Sequence, residues 1–269
     1  MGMTGQPSNL AYLPTGSDGS PLAEQAISAT DDGSSSSPDV DCGLGSVPDA
    51  VIRLGEPQAA PGWAARGSRL FKRAFDIFAS FALLVMLLPL FAFIALRILL
   101  HDGRPVFFGS ARIGRDGRMF KAWKFRSMVK DAETVLNKAL ENDEALRKEW
   151  YSCFKLVNDP RITPFGAMLR RTSLDELPQL WNVLRGDMSL VGPRPLLLDE
   201  PECYGPSFET YKTVRPGITG VWQITGRSDL PYAKRAVYND WYIGNRSTSL
   251  DLAILWRTAL VVLRKVGAR

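Results

Sequence analysis

The chain has one histidine, His101, in 269 residues. A Ser-His-Asp triad, an H-E-x-x-H zinc site and a multi-histidine metal centre all need partners that are missing. Standing alone beside an apolar run, His101 reads as an interfacial side chain. Cysteine is also scarce: Cys42, Cys153 and Cys203 lie far apart with no C-x-x-C spacing. That excludes a disulfide framework and a thiolate metal site, and it fits a reduced, cytoplasm-facing context. Bases are nearly absent from the first 60 residues, where Arg53 stands against eight acids (Asp18, Glu24, Asp31, Asp32, Asp39, Asp41, Asp49, Glu56).

The net charge of +5 therefore hides an asymmetry, −7 over residues 1–60 and +12 over residues 61–269. A basic body of this kind expects an anionic partner: nucleic acid, anionic lipid or a phosphorylated small substrate. Residues 1–66, with SDGS, SSSSPD and PQAAPG, cannot bury enough apolar surface to order themselves and read as a disordered acidic tail. Met1 is not followed by a basic n-region and an apolar core, so no secretory signal is expected.

From Ile77 to Leu96, IFASFALLVMLLPLFAFIAL contains no charge for 20 residues, and such a run covers about 30 Å as a straight helix. It belongs in a membrane. Pro89 removes a helix hydrogen bond and favours a bend. Basic residues flank both ends, Arg66, Arg69, Lys72 and Arg73 before and Arg97, Arg104, Arg112 and Arg115 after, whereas a spanning helix concentrates them on the cytoplasmic side. Both features favour a re-entrant hairpin over residues 67–101. Proline kinks also occur in spanning helices, so the residues alone leave both geometries open.

Beyond it, RPVFFG and RMFKAWKF flank Gly114-Arg115-Asp116-Gly117, which predicts a β-hairpin. Asp131–Trp150 is rich in charge and helix formers and predicts one surface helix. Prolines then recur too often for long elements before Leu250. The last segment, residues 250–269, is largely apolar with Arg257, Arg264 and Lys265 along it, which suits an interfacial helix. The fold class expected is α+β: a membrane-inserted, proline-broken helix, a small cytoplasmic catalytic domain over residues 102–249, and interfacial helices.

Candidate chemistry gathers in RRTSLDELPQLWNVLRG, residues 170–186. Ser173 to Glu176 can be read as a capping box, with Ser173 as N-cap and Glu176 reaching back. Leu174, Leu177, Trp181 and Leu184 give one apolar face and Gly186 ends the helix. Pro178 biases Leu177 away from helical angles, so the acids can instead occupy a turn ahead of the regular helix. Asp175 and Glu176 are adjacent and point about 100° apart, so they cannot flank a glycosidic bond as a hydrolase pair does. One can attack while the other holds a metal. A diphosphate approaching two carboxylates needs compensating cations, for which Arg170, Arg171, Lys124, Arg126 and Arg194 are candidates, and a divalent ion could bridge acid to phosphate.

KFRSM (124–128), LRRTSLDELPQL (169–180), GDMSLVGPRP (186–195) and VRPGITGVWQITGR (214–227) occur in the order found in the bacterial sugar transferase family. Residues 68–269 resemble the small monotopic phosphoglycosyl transferases of that family, especially the ExoY-type galactose-1-phosphate transferases. The resemblance implies transfer of hexose-1-phosphate from a UDP-sugar to undecaprenyl phosphate with release of UMP, at the cytoplasmic face of the inner membrane, ahead of later glycosyltransferases. It places Asp175 on the nucleophile that forms an aspartyl phosphosugar and Glu176 on the acid associated with Mg²⁺. Arg170 and Lys124 fall on the phosphate site, Pro193, Arg194 and Pro195 on a turn lining the nucleotide site, and Arg126, Arg171 and Arg215 on further motif positions.

Two departures stand out. Relatives often have Ser-Pro at the helix break where this chain has Leu88-Pro89, and bulky apolar residues where it has Arg246, Thr248 and Ser249. A nucleic-acid binder would explain the basic body, but no zinc finger, RNP-like strand or recognition motif is present. A non-catalytic membrane scaffold is the other rival, and UDP-glucose the rival donor. Nothing in the residues themselves separates galactose from glucose.

Overall fold

The computed structural model describes residues 62–153, 156–225 and 232–263. The acidic tail up to residue 61, residues 264–269 and the Gly226-Arg227 end of the fourth motif lie outside these. Residues 62–66, expected in the tail, are instead the first turns of helix α1 (Gly62–Met86). Ala64, Ala65 and Arg66 are strong helix formers, and the Gly/Ser/Pro-rich composition ends before them.

Helix α2 (Leu88–His101) follows after one residue, with Pro89 in its first turn, where a missing N–H costs little. Among the described residues no single helix is long and apolar enough to cross a membrane; α1 from Leu70 and α2 form a pair bent by 60°. Leu87 N–H donates to Leu83 O and Phe91 N–H to Leu87 O, both at 2.9 Å.

The expected hairpin is present, β1 (Phe107–Ile113) with β2 (Met119–Phe125), antiparallel from Phe107↔Phe125 to Ile113↔Met119. Its turn has positive φ at Asp116 and Gly117, and aspartate and glycine tolerate that region. The single helix expected over Asp131–Trp150 is two, α3 (Ala132–Asn142) and α4 (Glu144–Cys153). Asp143 between them is extended, and its carboxylate accepts from Leu146 N–H at 3.0 Å, starting a second helix as an N-cap does.

Helix α5 (Pro164–Arg171), capped by Thr163, is followed by a 3₁₀ turn (Leu174–Glu176) and α6 (Gln179–Arg185). Strands β3 (Ser189–Val191) and β4 (Gly217–Thr219) pair in parallel. Between them lie α7 (Pro201–Tyr204) and α8 (Ser207–Lys212), and beyond them α9 (Val221–Thr225), α10 (Tyr232–Asn245) and α11 (Thr248–Leu263). The 14-residue α10 corrects the expectation of no long element before Leu250. After Pro231 the chain has no further proline to interrupt it. Helix α11 packs one face on the main core, with Leu250 and Ile254 buried there, while Leu252 and Trp256 stay exposed on the other.

The two arms of the bent pair return to the same body. In α1 the polar face points inward: Lys72 Nζ donates to Val191 O and to Asp251, and Asp76 accepts from Ser189 Oγ and Leu190 N–H. Arg73 donates to the carbonyls of Val183 and Leu184 at 2.7 and 3.0 Å, a cation on the C-terminal end of α6. Phe71, Phe78, Phe81 and Val85 are exposed on the same helix. In α2, Ile94 and Ile98 are fully buried against Phe125 and Leu169, and side chains so buried contribute roughly 1.5–3 kcal/mol each.

Asn182, 1% exposed, joins α6 to the hairpin. Its amide N–H donates to Lys121 O at 2.8 Å and its Oδ1 accepts from Trp123 N–H at 3.0 Å. It thereby pairs the open edge of β2 as another strand would. Asn182→Ala is expected to cost about 2 kcal/mol by orphaning these two groups, read as a lower thermal midpoint of the detergent-solubilised protein.

Candidate functional site

Hairpin alternation sets the first wall of the site. Successive strand residues point to opposite faces, and Phe108, Ser110 and Arg112 of β1 with Ala122 and Lys124 of β2 share the face that lines a cavity of about 1030 Å³. The second wall is the segment from α5 to α6. Gly166 lies so close to Ser127 that a Cβ there would come within 2.0 Å of Ser127 O. This contact lets α5 press on the strand end, and Arg170 Nε donates to Ser127 Oγ at 2.8 Å.

The acids do not form a capping box. Ser173 is left-handed (φ 57°, ψ 17°) and makes no side-chain cap, while Asp175 and Glu176 occupy the 3₁₀ turn before α6. Pro178 forces this, since it stands one residue before the helix and cannot donate to it. The strained Ser173 costs on the order of 1–3 kcal/mol, and the turn delivers both carboxylates to one ammonium. Lys124 Nζ is 2.6 Å from Glu176 Oε1 and 3.9 Å from Asp175 Oδ2.

The two carboxyls are tuned apart. Burial pushes the Asp175 carboxyl above its ordinary range, reinforced by Glu176, and Lys124 and Arg170 only partly offset this. For Glu176 burial acts in the same direction, but the charge and hydrogen bond of Lys124, with Arg194 and Arg112, overcome it and hold the carboxyl low. Burial also lowers the guanidinium pKa values of Arg170, opposed by Asp175, and of Arg112, where Arg194 adds to the lowering and Glu200 and Glu176 oppose it.

The structure sorts the sequence candidates. Asp175, Glu176, Lys124, Arg126, Arg170, Arg194 and Pro195 line the cavity. Arg171 does not: it is exposed, because its neighbour on the helix takes the inward direction. Arg215 also leaves the site, and its Nε donates to Gly186 O at 2.8 Å to brace the end of α6. Pro193 is buried behind the wall, its carbonyl accepting from Gly217 N–H at 2.7 Å. Arg126 is mainly a brace, since one terminal nitrogen holds the carbonyls of Asp102 and Gly103 beyond α2, but its Nε and other terminal nitrogen are buried without a partner.

Sequence reasoning missed Arg112, Ser127, Gln179, Trp222 and Thr258 as lining residues. Arg112 could have been found from its two-residue spacing to Phe108 and Ser110 on one strand. Thr258 carries no such signal, as it comes from the far helix α11.

Among the described residues no three acidic, histidine or cysteine groups converge as a metal cage. A Mg²⁺ site commonly takes one or two carboxylates and completes its shell with phosphates and water, and the adjacent Asp175 and Glu176 carboxylates are donors of that type.

A cavity that puts a lysine-bridged acid pair among arginines is equipped for anionic phosphoryl groups. Residues 67–265 match the family model described as "Bacterial sugar transferase", and the chain belongs to that family. It is 49% identical over 205 residues to the "Undecaprenyl-phosphate galactose phosphotransferase" of Salmonella typhimurium, covering 76% of this chain and 43% of that one. Identity is 44% to "Exopolysaccharide production protein ExoY" of Rhizobium meliloti, over 73% of this chain and 87% of the relative. It is 41% to the Escherichia coli "UDP-glucose:undecaprenyl-phosphate glucose-1-phosphate transferase", over 71% and 40%. The chain thus spans less than half the length of the Salmonella and E. coli relatives.

Because the fold raises the Asp175 pKa, Asp175 contributes stability that is fully present below its unfolded value of about 3.9 and is lost as pH rises through the higher native value. Asp175→Asn is therefore expected to raise the thermal midpoint at pH 8, with the gain closing below about pH 4. A melting series across pH, in detergent, checks both the sign and the window.

Proposed function

We propose that the protein transfers hexose-1-phosphate, galactose-1-phosphate by its similarity to the galactose-named relatives, from a UDP-sugar to undecaprenyl phosphate. The observation that carries this reading is the buried Asp175 beside Lys124 and Glu176 in an arginine-walled cavity. An Asp175 carboxylate oxygen attacks the β-phosphorus of the donor; the bond from that phosphorus to the bridging oxygen breaks, and UMP leaves. An oxygen of the lipid phosphate then attacks the aspartyl phosphosugar, and the Asp175–phosphorus bond breaks. Nucleophilic attack by a carboxylate on a diphosphate needs its charge neutralised and its geometry fixed, which Lys124, Arg170, Arg194 and Arg112 supply. Mg²⁺, when held by Glu176, adds neutralisation of the diphosphate. The raised Asp175 pKa keeps the nucleophile a good one once ionised, and low solvation strengthens each surrounding charge.

The same reading puts the bent pair in the membrane as a re-entrant hairpin. Three observations support it: the 60° bend, the exposed apolar side chains of α1 and α2, and the docking of both arms on one catalytic body. In this reading residues 102–249 form the catalytic domain on the cytoplasmic face of the inner membrane, residues 1–66 a solvated tail, and the outer side of α11, with Leu252 and Trp256, meets lipid. The site then lies at the headgroup plane where the acceptor phosphate resides, upstream of later glycosyltransferases.

The test is UMP release from UDP-galactose or UDP-glucose with undecaprenyl phosphate and Mg²⁺. Asp175→Ala should lose ~10³-fold or more in rate and fail to trap radiolabelled phosphosugar, and chelation of Mg²⁺ should stop turnover. No UMP from either donor with folded wild-type protein would reject the reading. Between the neighbouring arginines, Arg170→Ala should cost roughly tenfold to hundredfold, whereas Arg171→Ala, outside the cavity, should stay within about twofold.

A further inference from the structure

Two of the cavity arginines come from segments far apart in the chain. Arg112 lies on β1 and shares its cavity-facing side with Phe108 and Ser110, and Arg194 lies in the turn after β3. Among the described residues neither forms a salt bridge. Both charges nevertheless act on one carboxyl, since each lowers the pKa of Glu176, and Arg194 also lowers that of Arg112. Two like charges brought near each other without a bridging acid repel. Something else must hold them.

Beside these arginines the two segments meet as an isolated antiparallel bridge, Ile113 opposite Leu196. Residues paired in this way can exchange two backbone hydrogen bonds, and here only one is direct, from Ile113 N–H to Leu196 O at 2.9 Å. The other is relayed by a side chain. Leu196 N–H donates to Tyr211 Oη at 3.3 Å, and the Tyr211 hydroxyl donates to Ile113 O at 2.6 Å. The hydroxyl is an inserted link that sets how far apart the two chains stand. Arg112 immediately precedes Ile113, and Arg194 stands two residues before Leu196. Arg112 Nη1 adds a longer donation to Pro195 O at 3.4 Å.

Tyr211, on α8, is 1% exposed and packs in a cluster with Ile113, Leu196 and Tyr204. Its ring stacks on Phe208 at 6.2 Å and meets Tyr204 edge-on at 6.3 Å. These contacts fix the ring independently of the hydroxyl. Burial pushes the phenol pKa far above its ordinary value, so the group is a protonated donor at any working pH. Without the hydroxyl, the chains either close onto a direct Leu196 N–H to Ile113 O bond or leave two buried backbone groups orphaned. Arg194 is separately held over the Trp222 ring, 5.7 Å from its centroid. Arg112 is therefore the member of the pair that shifts.

We propose that Tyr211 is a positioning residue, whose hydroxyl sets Arg112 against Arg194 so that the two guanidiniums together grip the diphosphate of the nucleotide donor. This rests on the transferase reading and deepens it. Tyr211 touches no substrate and acts through Arg112. Guanidiniums donate charge-assisted hydrogen bonds to phosphate oxygens, and a pair already in place binds without the cost of being ordered first.

The test is a double-mutant cycle on the full-length protein in detergent: wild type, Tyr211→Phe, Arg112→Ala and the double variant. UDP is the probe, with Mg²⁺ present throughout. Its affinity is read from the UDP-induced rise in thermal midpoint over each protein's own UDP-free value, so a less stable variant is still measured. Tyr211→Phe keeps the ring contacts and should weaken UDP binding about tenfold, and Arg112→Ala at least as much. The double variant should match Arg112→Ala within about twofold, because a residue acting through Arg112 then has nothing to position. In turnover by Tyr211→Phe, the donor KM should rise about tenfold while the undecaprenyl phosphate KM stays within about twofold. UDP affinity of Tyr211→Phe equal to that of wild type would overturn the proposal, as would losses that add in the double variant. Failure of the transferase reading shows differently: the UDP cycle remains non-additive while wild type releases no UMP. A wild type whose midpoint UDP does not move overturns both.

Discussion

One ammonium group holds the site together. Two adjacent carboxylates in one cavity repel each other, and Lys124 Nζ, at 2.6 Å from Glu176 and 3.9 Å from Asp175, offsets that repulsion. Much of the fold serves this contact. Asn182 pairs with the backbone on either side of Ala122, at Lys121 and Trp123, and so fixes the strand that carries Lys124 against the helix that follows the acids. Arg73 and Arg215 hold the carbonyls at the far end of that helix. The left-handed Ser173 is the local cost of bringing the acids round to the lysine.

The unequal contacts of Lys124 also divide the chemistry. The closer carboxyl, Glu176, is held below its ordinary range by Lys124, while Asp175, buried and farther from that ammonium, is pushed above it. Equal sharing would remove this difference. Helix α1, with polar groups turned inward onto α6 and β3 and aromatic groups turned outward, is tied to the same framework.

Much of this was legible in the residues. The hairpin, the helix ended by Gly186, the bend near Pro89 and the association of Asp175, Glu176, Lys124, Arg170 and Arg194 follow from turn chemistry, proline and charge, and four motifs in order point to the family. Failures have a common origin. Arg171, Arg215 and Pro193 belong to the same motifs as the lining residues, but a motif does not say which of two neighbours faces inward or which arginine braces a helix end. The capping box failed at Pro178, whose effect on the preceding turn outweighed the Ser-x-x-Glu pattern. The single helix over 131–150 failed at Asp143, where a local cap outweighed summed propensity.

By itself, then, the sequence determined the chemistry available: phosphate-binding cations, two acids, an apolar segment bent at a proline, and no histidine machinery. Those properties depend on composition and short-range spacing, which the chain carries along its length. Only the tertiary structure decided which groups meet. Lys124 and Glu176 are 52 residues apart and Thr219 and Thr258 are 39 apart, and their contacts depend on how helices and strands pack. The split between the two carboxyl pKa values has the same source, because burial belongs to the packed molecule and to no residue alone.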